Sequence, residues 1–410
     1  MVRTGSGALV RKLNSNAVLT LLQSRGPLSQ AEIVAITGLG KATVSSLIAS
    51  LDAEGWIIEV GPAAAAGDRG GRPSTLLNLN PDRGFVVGVK ILEDAVAVVV
   101  TDLYARVVLH ETTPVSRGLG DTDYANAVES LLSTTVERVN AAIAASGVDR
   151  SKILGVGVGI TGLVDTDSGV GFFSRLFPGT PGLPVARLLQ ERLSLPVIVE
   201  NDVNTLAIAE RWFGVGQGSN NFAVVTIGRG IGAGLVVHGQ LVKGVRGGAG
   251  EFGHVCIQPD GPLCECGNRG CLQAVAADPA VVIGVAEHLA AGRSSSLDGE
   301  DLTIEKIVAA ADDGDELARE VLRESGLAFG HGIATLVSLL APEKVIVSGE
   351  GVAAGPWRIT PMLEAFRREA FRQVADAVTV QIEKLDFEAW ARGAACVVLG
   401  KLFDSPINQE

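Results

Sequence analysis

Four side chains that can bind a metal ion lie within residues 254–271. They are His254, Cys264, Cys266 and Cys271. Zinc takes four nitrogen and sulfur ligands of this kind at tetrahedral angles, and a site closed by protein ligands is structural rather than catalytic. Glycine and proline residues between them allow a short loop to fold back on one ion. The spacing therefore predicts a structural zinc site, and the alternative is a loop that carries reduced thiols.

Two further polar groups could form a sugar site near this metal. Glu251 precedes His254 by three residues, so an ion that fixes the histidine would also fix the carboxylate. Asn201 and Asp202 lie where a predicted strand ends and a predicted helix begins. Asp202 could act as a general base toward a sugar hydroxyl, and Asn201 offers both a donor and an acceptor. The alternative makes Asp202 only the N-cap of the helix.

Composition and charge limit the function classes. The chain has 410 residues, of which 47% are hydrophobic, and this length suggests about two or three domains. The net charge of −12 argues against nucleic-acid binding by the whole surface. Residues 1–80 carry seven basic and five acidic side chains, a net +2, which leaves −14 for residues 81–410. This division favours DNA binding at one end of the chain only.

Several features predict a cytoplasmic protein without a membrane partner. No uninterrupted apolar run reaches the roughly 18 residues of a membrane span. The first residues lack the apolar stretch of a signal peptide. Five cysteines, three of them close to one histidine, fit metal binding in a reducing compartment better than disulfides.

Residues 1–80 predict a winged helix-turn-helix. An apolar stretch at 17–22 has helical spacing and stops at Gly26 and Pro27. Ser29 and Glu32 have the spacing of a capping box for a second helix. A glycine turn at 37–40 precedes a third helix over about 41–54, and a hairpin with two arginines at its tip follows. The alternative is a small helical interaction module.

The predicted DNA contacts come from the third helix and from the hairpin. The helix would enter the major groove with its N-terminal residues at the base edges. The hairpin arginines would reach a minor groove or phosphates. The contacts are Lys41, Thr43, Ser45, Ser46, Arg69 and Arg72.

The remainder predicts two similar α/β lobes with a ligand cleft between them. An antiparallel meander over about 85–112 and a buried strand at 153–160 start the first lobe. A second lobe has predicted strands at 222–227 and 232–238 around a glycine-rich loop at 228–234, and a later strand at 344–348. The predicted domains are the winged helix at 1–80, a first lobe at 84–203 completed by a helix at 389–403, and a second lobe at 204–388.

The chain resembles the ROK family of repressors, open reading frames and sugar kinases. The motifs that carry the resemblance are GVGITGLVD at 157–165, VENDVN at 199–204, GRGIGAG at 228–234, GAGEFGH at 248–254 and CECGNRGCLQ at 264–273. The winged helix and the GRPS segment look like the repressor branch. The resemblance implies an actin-like, sugar-kinase-like (ribonuclease H-like) body with structural zinc on the four residues above. It also implies sugar contacts at Asn201, Asp202, Glu251, His254 and Gln273.

Three departures from the kinases of this family predict a protein without catalytic activity. Kinases have an Asp-x-Gly-Gly-Thr-Lys phosphate loop after the first strand, whereas residues 90–95 read KILEDA. Arg229 stands where the kinases usually have threonine, and Gln273 stands in place of a glutamate. Phosphoryl transfer depends on positioning and charge stabilisation, so Asp202 would be a vestigial base.

The sequence therefore favours a regulator, most simply a repressor of carbohydrate genes. It would bind operator DNA as a homodimer or homotetramer, because helix-turn-helix proteins commonly read two half-sites. Its effector would be a sugar or a sugar phosphate. One alternative is an ATP-dependent hexose kinase with a DNA-binding head, and another is a module that docks a partner protein without sugar affinity.

Overall fold

A computed structural model describes residues 7–62, 74–115, 124–177, 182–384 and 386–403. The chain divides into two compact units. Unit 1 comprises residues 1–160, 175–200 and 394–410, and unit 2 comprises residues 161–174 and 201–393. No helix within the described ranges is both long enough and apolar enough to cross a membrane.

The first part of unit 1 is the predicted winged helix. Its elements are α1 (Gly7–Arg25), β1 (Leu28–Ser29), α2 (Gln30–Thr37), α3 (Lys41–Ala53), β2 (Ile57–Pro62) and β3 (Thr75–Leu79). The Ser29 hydroxyl accepts from the amide of Glu32, whose carboxylate accepts from the amide of Ser29, so the predicted capping box is present. Gly38 ends α2 with φ +69°, a conformation that favours glycine.

The wing strands form a three-stranded sheet in the order β1-β3-β2. The two-residue strand β1, which pairs antiparallel with β3, was not predicted because two residues give no periodicity. The predicted hairpin tip with Arg69 and Arg72 lies outside the described residues.

The rest of unit 1 is a mixed five-stranded sheet with helices. Its elements are β4 (Phe85–Ile91), β5 (Ala95–Thr101), β6 (Val107–Pro114), α4 (Tyr124–Ala145), β7 (Ile153–Ile160), α5 (Val185–Leu193) and β10 (Val197–Asn201). The strand order is β10-β7-β4-β5-β6. The antiparallel β4-β5-β6 meander is as predicted, and β4 pairs parallel with β7. A short hairpin between β7 and α5, β8 (Leu163–Asp165) and β9 (Val170–Phe173), belongs to unit 2.

Unit 2 has a second five-stranded sheet covered by helices. Its elements are α6 (Asp202–Phe213), β11 (Phe222–Ile227), β12 (Ile231–Val237), β13 (Gln240–Leu241), α7 (Leu272–Ala276), α8 (Asp278–Ala290), α9 (Ile304–Asp312), α10 (Glu316–Leu340), β14 (Lys344–Ser348), α11 (Pro356–Glu369), α12 (Arg372–Ala375) and β15 (Thr379–Ile382). The strand order is β13-β12-β11-β14-β15. Strands β11 and β14 are parallel, so their carboxyl ends lie at one edge of the sheet. The last helix, α13 (Phe387–Phe403), belongs to unit 2 up to Gly393 and to unit 1 from Ala394.

Within unit 1 the winged helix is fixed to its neighbours by specific contacts. The Tyr104 hydroxyl, at the β5-β6 turn, donates to Oδ1 of Asn78 in β3 over 2.6 Å. The Thr20 hydroxyl in α1 donates to the carbonyl oxygen of Phe403, at the end of α13, over 3.0 Å. The winged helix therefore contacts the β5-β6 turn and the end of the last helix through side-chain hydrogen bonds.

Candidate metal centre and ligand site

The four predicted metal ligands converge in unit 2. Their ligand atoms all lie within 4.8 Å of one another. Nδ1 of His254 is 3.6 Å from Sγ of Cys264, and Sγ of Cys266 is 3.7 Å from Sγ of Cys271. Ligands at about 2.0–2.3 Å from zinc and at tetrahedral angles are separated by about 3.3–3.8 Å. The donor set and its spacing therefore fit a four-coordinate zinc ion.

The loop that carries the cysteines is shaped by backbone hydrogen bonds and by glycine. The amides of Ile257 and Gln258 both donate to the carbonyl oxygen of Gly270. Gly270 has φ +67°, and a Cβ at this position would lie 1.5 Å from the carbonyl oxygen of Gln258. No other residue fits there without displacing the loop.

The three clustered thiols have shifted pKa values. Burial would raise the pKa of Cys266, but hydrogen bonds with its neighbours lower it. Burial, together with hydrogen bonds with Cys266 and Cys264, raises the pKa of Cys271 to about 12. Burial likewise raises the pKa of Cys264. A bound zinc ion favours the thiolate and reverses such shifts.

The two ring nitrogens of His254 face different groups. Nδ1 faces the thiols, whereas Nε2 lies 3.7 Å from Oε2 of Glu251. Burial raises the pKa of Glu251. The nearby His254 opposes this shift, whereas the nearby Asp202 adds to it. The carboxyl group of Glu251 therefore interacts electrostatically with both His254 and Asp202.

Asn201, and not Asp202, caps α6. Oδ1 of Asn201 accepts from the amide of Asn204 over 3.1 Å, and Nδ2 donates to the carbonyl oxygen of Gly162 over 2.9 Å. Asp202 is the first helical residue, buried to 7% exposure, and its Oδ1 accepts from the amide of Val203. The alternative that Asp202 is only an N-cap was therefore wrong, because its neighbour fills that position.

The glycine loop predicted at 228–234 is confined to residues 228–230, and the strand predicted from residue 232 begins one residue earlier. Only residues 228–230 turn, with the amide of Gly228 donating to the carbonyl oxygen of Gly230, and β12 begins at Ile231. Gly232 and Gly234 lie in β12, where α6 approaches closely. A Cβ on Gly234 would be 2.8 Å from the carbonyl oxygen of Val203. These glycines therefore permit helix-strand packing.

Gln273 is oriented toward the metal loop. It lies in α7 and donates from Nε2 to Oε1 of Glu265 over 2.7 Å. Sequence reasoning missed Glu265, although its place between two cysteine ligands was a usable signal. Both residues line a cavity of about 390 Å³, which Asn201, Asp202, Glu251 and His254 do not line.

The predicted DNA-contacting face of α3 is open. Lys41, Thr43, Ser45 and Ser46 are all exposed. On the opposite face Val44, Leu47 and Leu51 are buried. Gly40 caps the helix without a side-chain hydrogen bond, so the first amides of α3 remain available to an anion such as a DNA phosphate.

Comparison with known proteins covers both parts of the chain. A model of the ROK family matches residues 87–401, and a model of the MarR family matches residues 17–66. The xylose repressor of Caldicellulosiruptor bescii is 26% identical over 98% of this chain and 99% of that protein. The DNA-binding transcriptional dual regulator NagC of Escherichia coli is 30% identical over 96% of this chain and 94% of that protein.

A solved structure is similar over the same length. A ROK family transcriptional regulator, described as a homologue of the E. coli MLC protein, superposes with a TM-score of 0.82. It is 25% identical, and the match covers 98% of each chain.

Proposed function

Because the chain belongs to the ROK family and carries a winged helix that matches the MarR family, we propose that it is a sugar-responsive, DNA-binding transcriptional repressor. The observation that carries this proposal is the match to a xylose repressor and to a DNA-binding transcriptional dual regulator over nearly the full length of both chains. Such a match includes the DNA-binding head as well as the α/β body.

Operator DNA would be contacted by α3. Its exposed residues Lys41, Thr43, Ser45 and Ser46 would lie at base edges and phosphates, with Arg69 and Arg72 of the wing beside them. The protein would act as a homodimer or homotetramer in the cytoplasm.

The proposed functional domains are a DNA-binding head at 1–80, a first lobe at 84–203 completed by the helix at 389–403, and a second lobe at 204–388.

The effector would be a sugar or a sugar phosphate. Asp202 and Glu251 would accept hydrogen bonds from its hydroxyls, and His254 and Asn201 would complete the contacts. The pKa of Glu251 is raised chiefly by burial and then by Asp202, as expected for carboxyl groups that share a small polar site. Gln273 would either contact the sugar directly or stabilise the site through its hydrogen bond to Glu265.

Zinc would be held by His254, Cys264, Cys266 and Cys271. When bound, it would supply a structural cross-link within the loop at 254–271, whose last ligand, Cys271, is the N-cap of α7, and it would favour the thiolate forms. The imidazole is then oriented by its Nδ1 atom, which leaves Nε2 directed to Glu251.

The body would not transfer phosphate. Residues 92–94, between β4 and β5, contain no glycine, and Glu93 pairs with Arg175 over 3.0 Å. A phosphate at this turn would meet the carboxylates of Glu93 and Asp94, and no glycine would let the backbone approach it closely.

Effector binding would release the operator only if the sugar prefers one state of the protein. Coupling between two such sites is typically about 1–3 kcal/mol, or about 5–150-fold in DNA affinity.

One observation favours a second candidate, an ATP-dependent hexose kinase. The buried carboxylate of Asp202 lies at the start of α6 near Glu251, where a catalytic base could act. The test is ADP release by zinc-loaded protein with ATP and a pool of hexoses and amino sugars. Sugar-dependent turnover that is lost in Asp202→Asn would establish the kinase. Absence of turnover, with sugar binding detected by calorimetry on the same sample, supports the sensor.

A further inference from the structure

Two glycine turns meet at one edge of the sheet in unit 2. Strands β11 and β14 are parallel neighbours, with Thr226 opposite Ser348. Gly228 follows β11 and Gly349 follows β14. The carboxyl edge of parallel strands is where open α/β sheets bind their ligands, and bare glycine backbone at such turns can approach an anion.

The turn after β14 is built around close backbone contact. Gly349 has φ +98°, and a Cβ on it would lie 2.4 Å from the carbonyl oxygen of Ile227. A Cβ on Gly351 would lie 2.5 Å from Nη1 of Arg358. Neither position admits a side chain, so the side chain between them, Glu350, is the one that this tripeptide presents.

The carboxylate of Glu350 lies against Gly228, in the turn that follows β11. A Cβ on Gly228 would be only 2.3 Å from Oε2 of Glu350 and 3.4 Å from its backbone nitrogen. The space that the missing Cβ leaves at Gly228 is therefore filled by a negative charge from the same chain.

A buried cation lies beneath these turns. Arg358 is fully buried, and its Nη1 donates to Oδ1 of Asp278 over 2.7 Å and to the carbonyl oxygen of Gly351 over 2.9 Å. Its Nε and Nη2 have no hydrogen-bond partner among the described residues. The amide of Asp278 in turn donates to the carbonyl oxygen of Gly228, so one hydrogen-bonded chain links both turns to the guanidinium.

We propose that Glu350 is an internal anion that occupies the space between the two glycine turns and thereby excludes phosphate-bearing ligands, such as nucleoside diphosphates and triphosphates, from unit 2. The exclusion has two components, because the side chain fills the space at Gly228 and its charge repels an incoming phosphate. The inference deepens the proposed absence of kinase activity and rests on that proposal. It gives a reason that is independent of residues 90–95.

The experiment compares ADP binding by the full-length protein and two variants in magnesium-free buffer, so that no cation can bridge ADP to a carboxylate. Glu350→Gln removes the charge and keeps the size, whereas Glu350→Gly removes both. Glu364→Gln, at an exposed position of α11, is the matched control. Isothermal titration calorimetry measures the Kd for ADP, and thermal unfolding with and without ADP gives a second readout.

The expected order of affinity is Glu350→Gly tighter than Glu350→Gln, and both tighter than wild type and Glu364→Gln. The gain from wild type to Glu350→Gly should be about tenfold or more. Equal ADP affinity in all four proteins, whether weak or strong, overturns the proposal. Operator binding by the same samples tests the proposed repressor function separately, since that function can fail while the order of ADP affinities holds.

Discussion

Nε2 of His254 lies 3.7 Å from Oε2 of Glu251, while Nδ1 of the same ring lies 3.6 Å from Sγ of Cys264. One imidazole therefore connects the thiol cluster to the carboxylate of the proposed sugar site. An ion bound at Nδ1 fixes the ring and its tautomer, and so fixes the donor presented to Glu251 or to a ligand hydroxyl. The metal centre and the sugar site are thus expected to fail together.

Replacement of Cys266 should remove the metal and loosen the sugar site. Cys266→Ser deletes one of four thiolate or imidazole ligands, and structural zinc contributes directly to folding free energy. We expect zinc, measured by mass spectrometry of the metal content, to fall from about one ion per chain to near zero. Sugar binding measured by calorimetry should weaken in the same sample.

Cys256→Ser is the control for this variant. Cys256 is exposed and lies two residues after His254, but it is not one of the four clustered ligands. It should keep both zinc and sugar affinity. Normal sugar binding by Cys266→Ser without zinc would show that the metal does not support the sugar site.

The two carboxylates of the site should each be needed for the effector. Asp202→Asn and Glu251→Gln keep the shape but remove a charged acceptor, and a hydrogen bond to a charged group contributes about 1.5–3 kcal/mol. Sugar affinity should therefore fall about 10- to 100-fold, as measured by calorimetry with a panel of pentoses, hexoses, amino sugars and their phosphates. Glu305→Gln, at an exposed position of α9, serves as control. Unchanged affinity in both site variants would remove these residues from the site.

Thermal stability and zinc affinity should depend on the side-chain amide of Gln273, because its hydrogen-bond partner, Glu265, is a carboxylate. Nε2 of Gln273 donates to Glu265 over 2.7 Å, so Gln273→Glu would place two carboxylates in contact and lose the hydrogen bond. The variant should unfold at a lower temperature and hold zinc less tightly. The exchanged pair, Gln273→Glu with Glu265→Gln, should recover both properties. If the double variant is no better than Gln273→Glu alone, then the Gln273–Glu265 hydrogen bond is not what determines this residue type.

Asp315 should stabilise unit 2 in a manner that depends on pH. It caps α10, with Oδ1 accepting from the amide of Ala318 and Oδ2 accepting from Ser295 and Ser296. Partial burial would raise the pKa of Asp315, but these hydrogen bonds outweigh it and lower the pKa to about 2 from 3.8. The stabilisation is therefore fully present above pH 3.8 and is lost as the pH falls toward 2.

Asp315→Ala should lower the free energy of unfolding by about 1–2 kcal/mol at pH 7, as loss of an N-cap does. Thermal unfolding between pH 7 and pH 3 measures the effect, and the difference from wild type should shrink below about pH 4. Asp301→Ala, at an exposed position before α9, should show no such trend. A difference that stays constant over this range would mean that the ionised carboxylate is not the stabilising group.

Much of the framework could be predicted because local signals and the fold agree. Strands β7, β11 and β14 are runs of buried, mainly apolar residues rich in β-branched side chains, and their predicted bounds coincide with those in the structure. The capping box at Ser29 and Glu32 fixed the start of α2 from sequence alone. Helix α1 extends to Gly7, well before the predicted apolar stretch, and the apolar side chains of its first turns, Leu9 and Val10, are exposed.

The parts of the site that could not be predicted depend on long-range contacts. The close packing of α6 on Gly232 and Gly234 was not predicted, because nothing in the local sequence shows that α6 would approach β12 at their positions. The orientation of Gln273 toward Glu265 and the place of Glu350 on Gly228 arise only when separate segments fold together. Local sequence identified the residue types, whereas their partners depended on tertiary structure.

The measurement that tests the central claim most directly is a titration of operator DNA with the zinc-loaded protein, with and without sugar. A labelled duplex from the region upstream of its own gene is followed by fluorescence anisotropy at about 100 mM salt, because affinities for DNA depend strongly on ionic strength. We expect binding that is lost in Lys41→Ala with Ser45→Ala, and an apparent Kd that one sugar of the panel raises about 5- to 150-fold. Failure to bind this duplex more tightly than an unrelated one, or binding that no sugar alters, would contradict a sugar-responsive repressor.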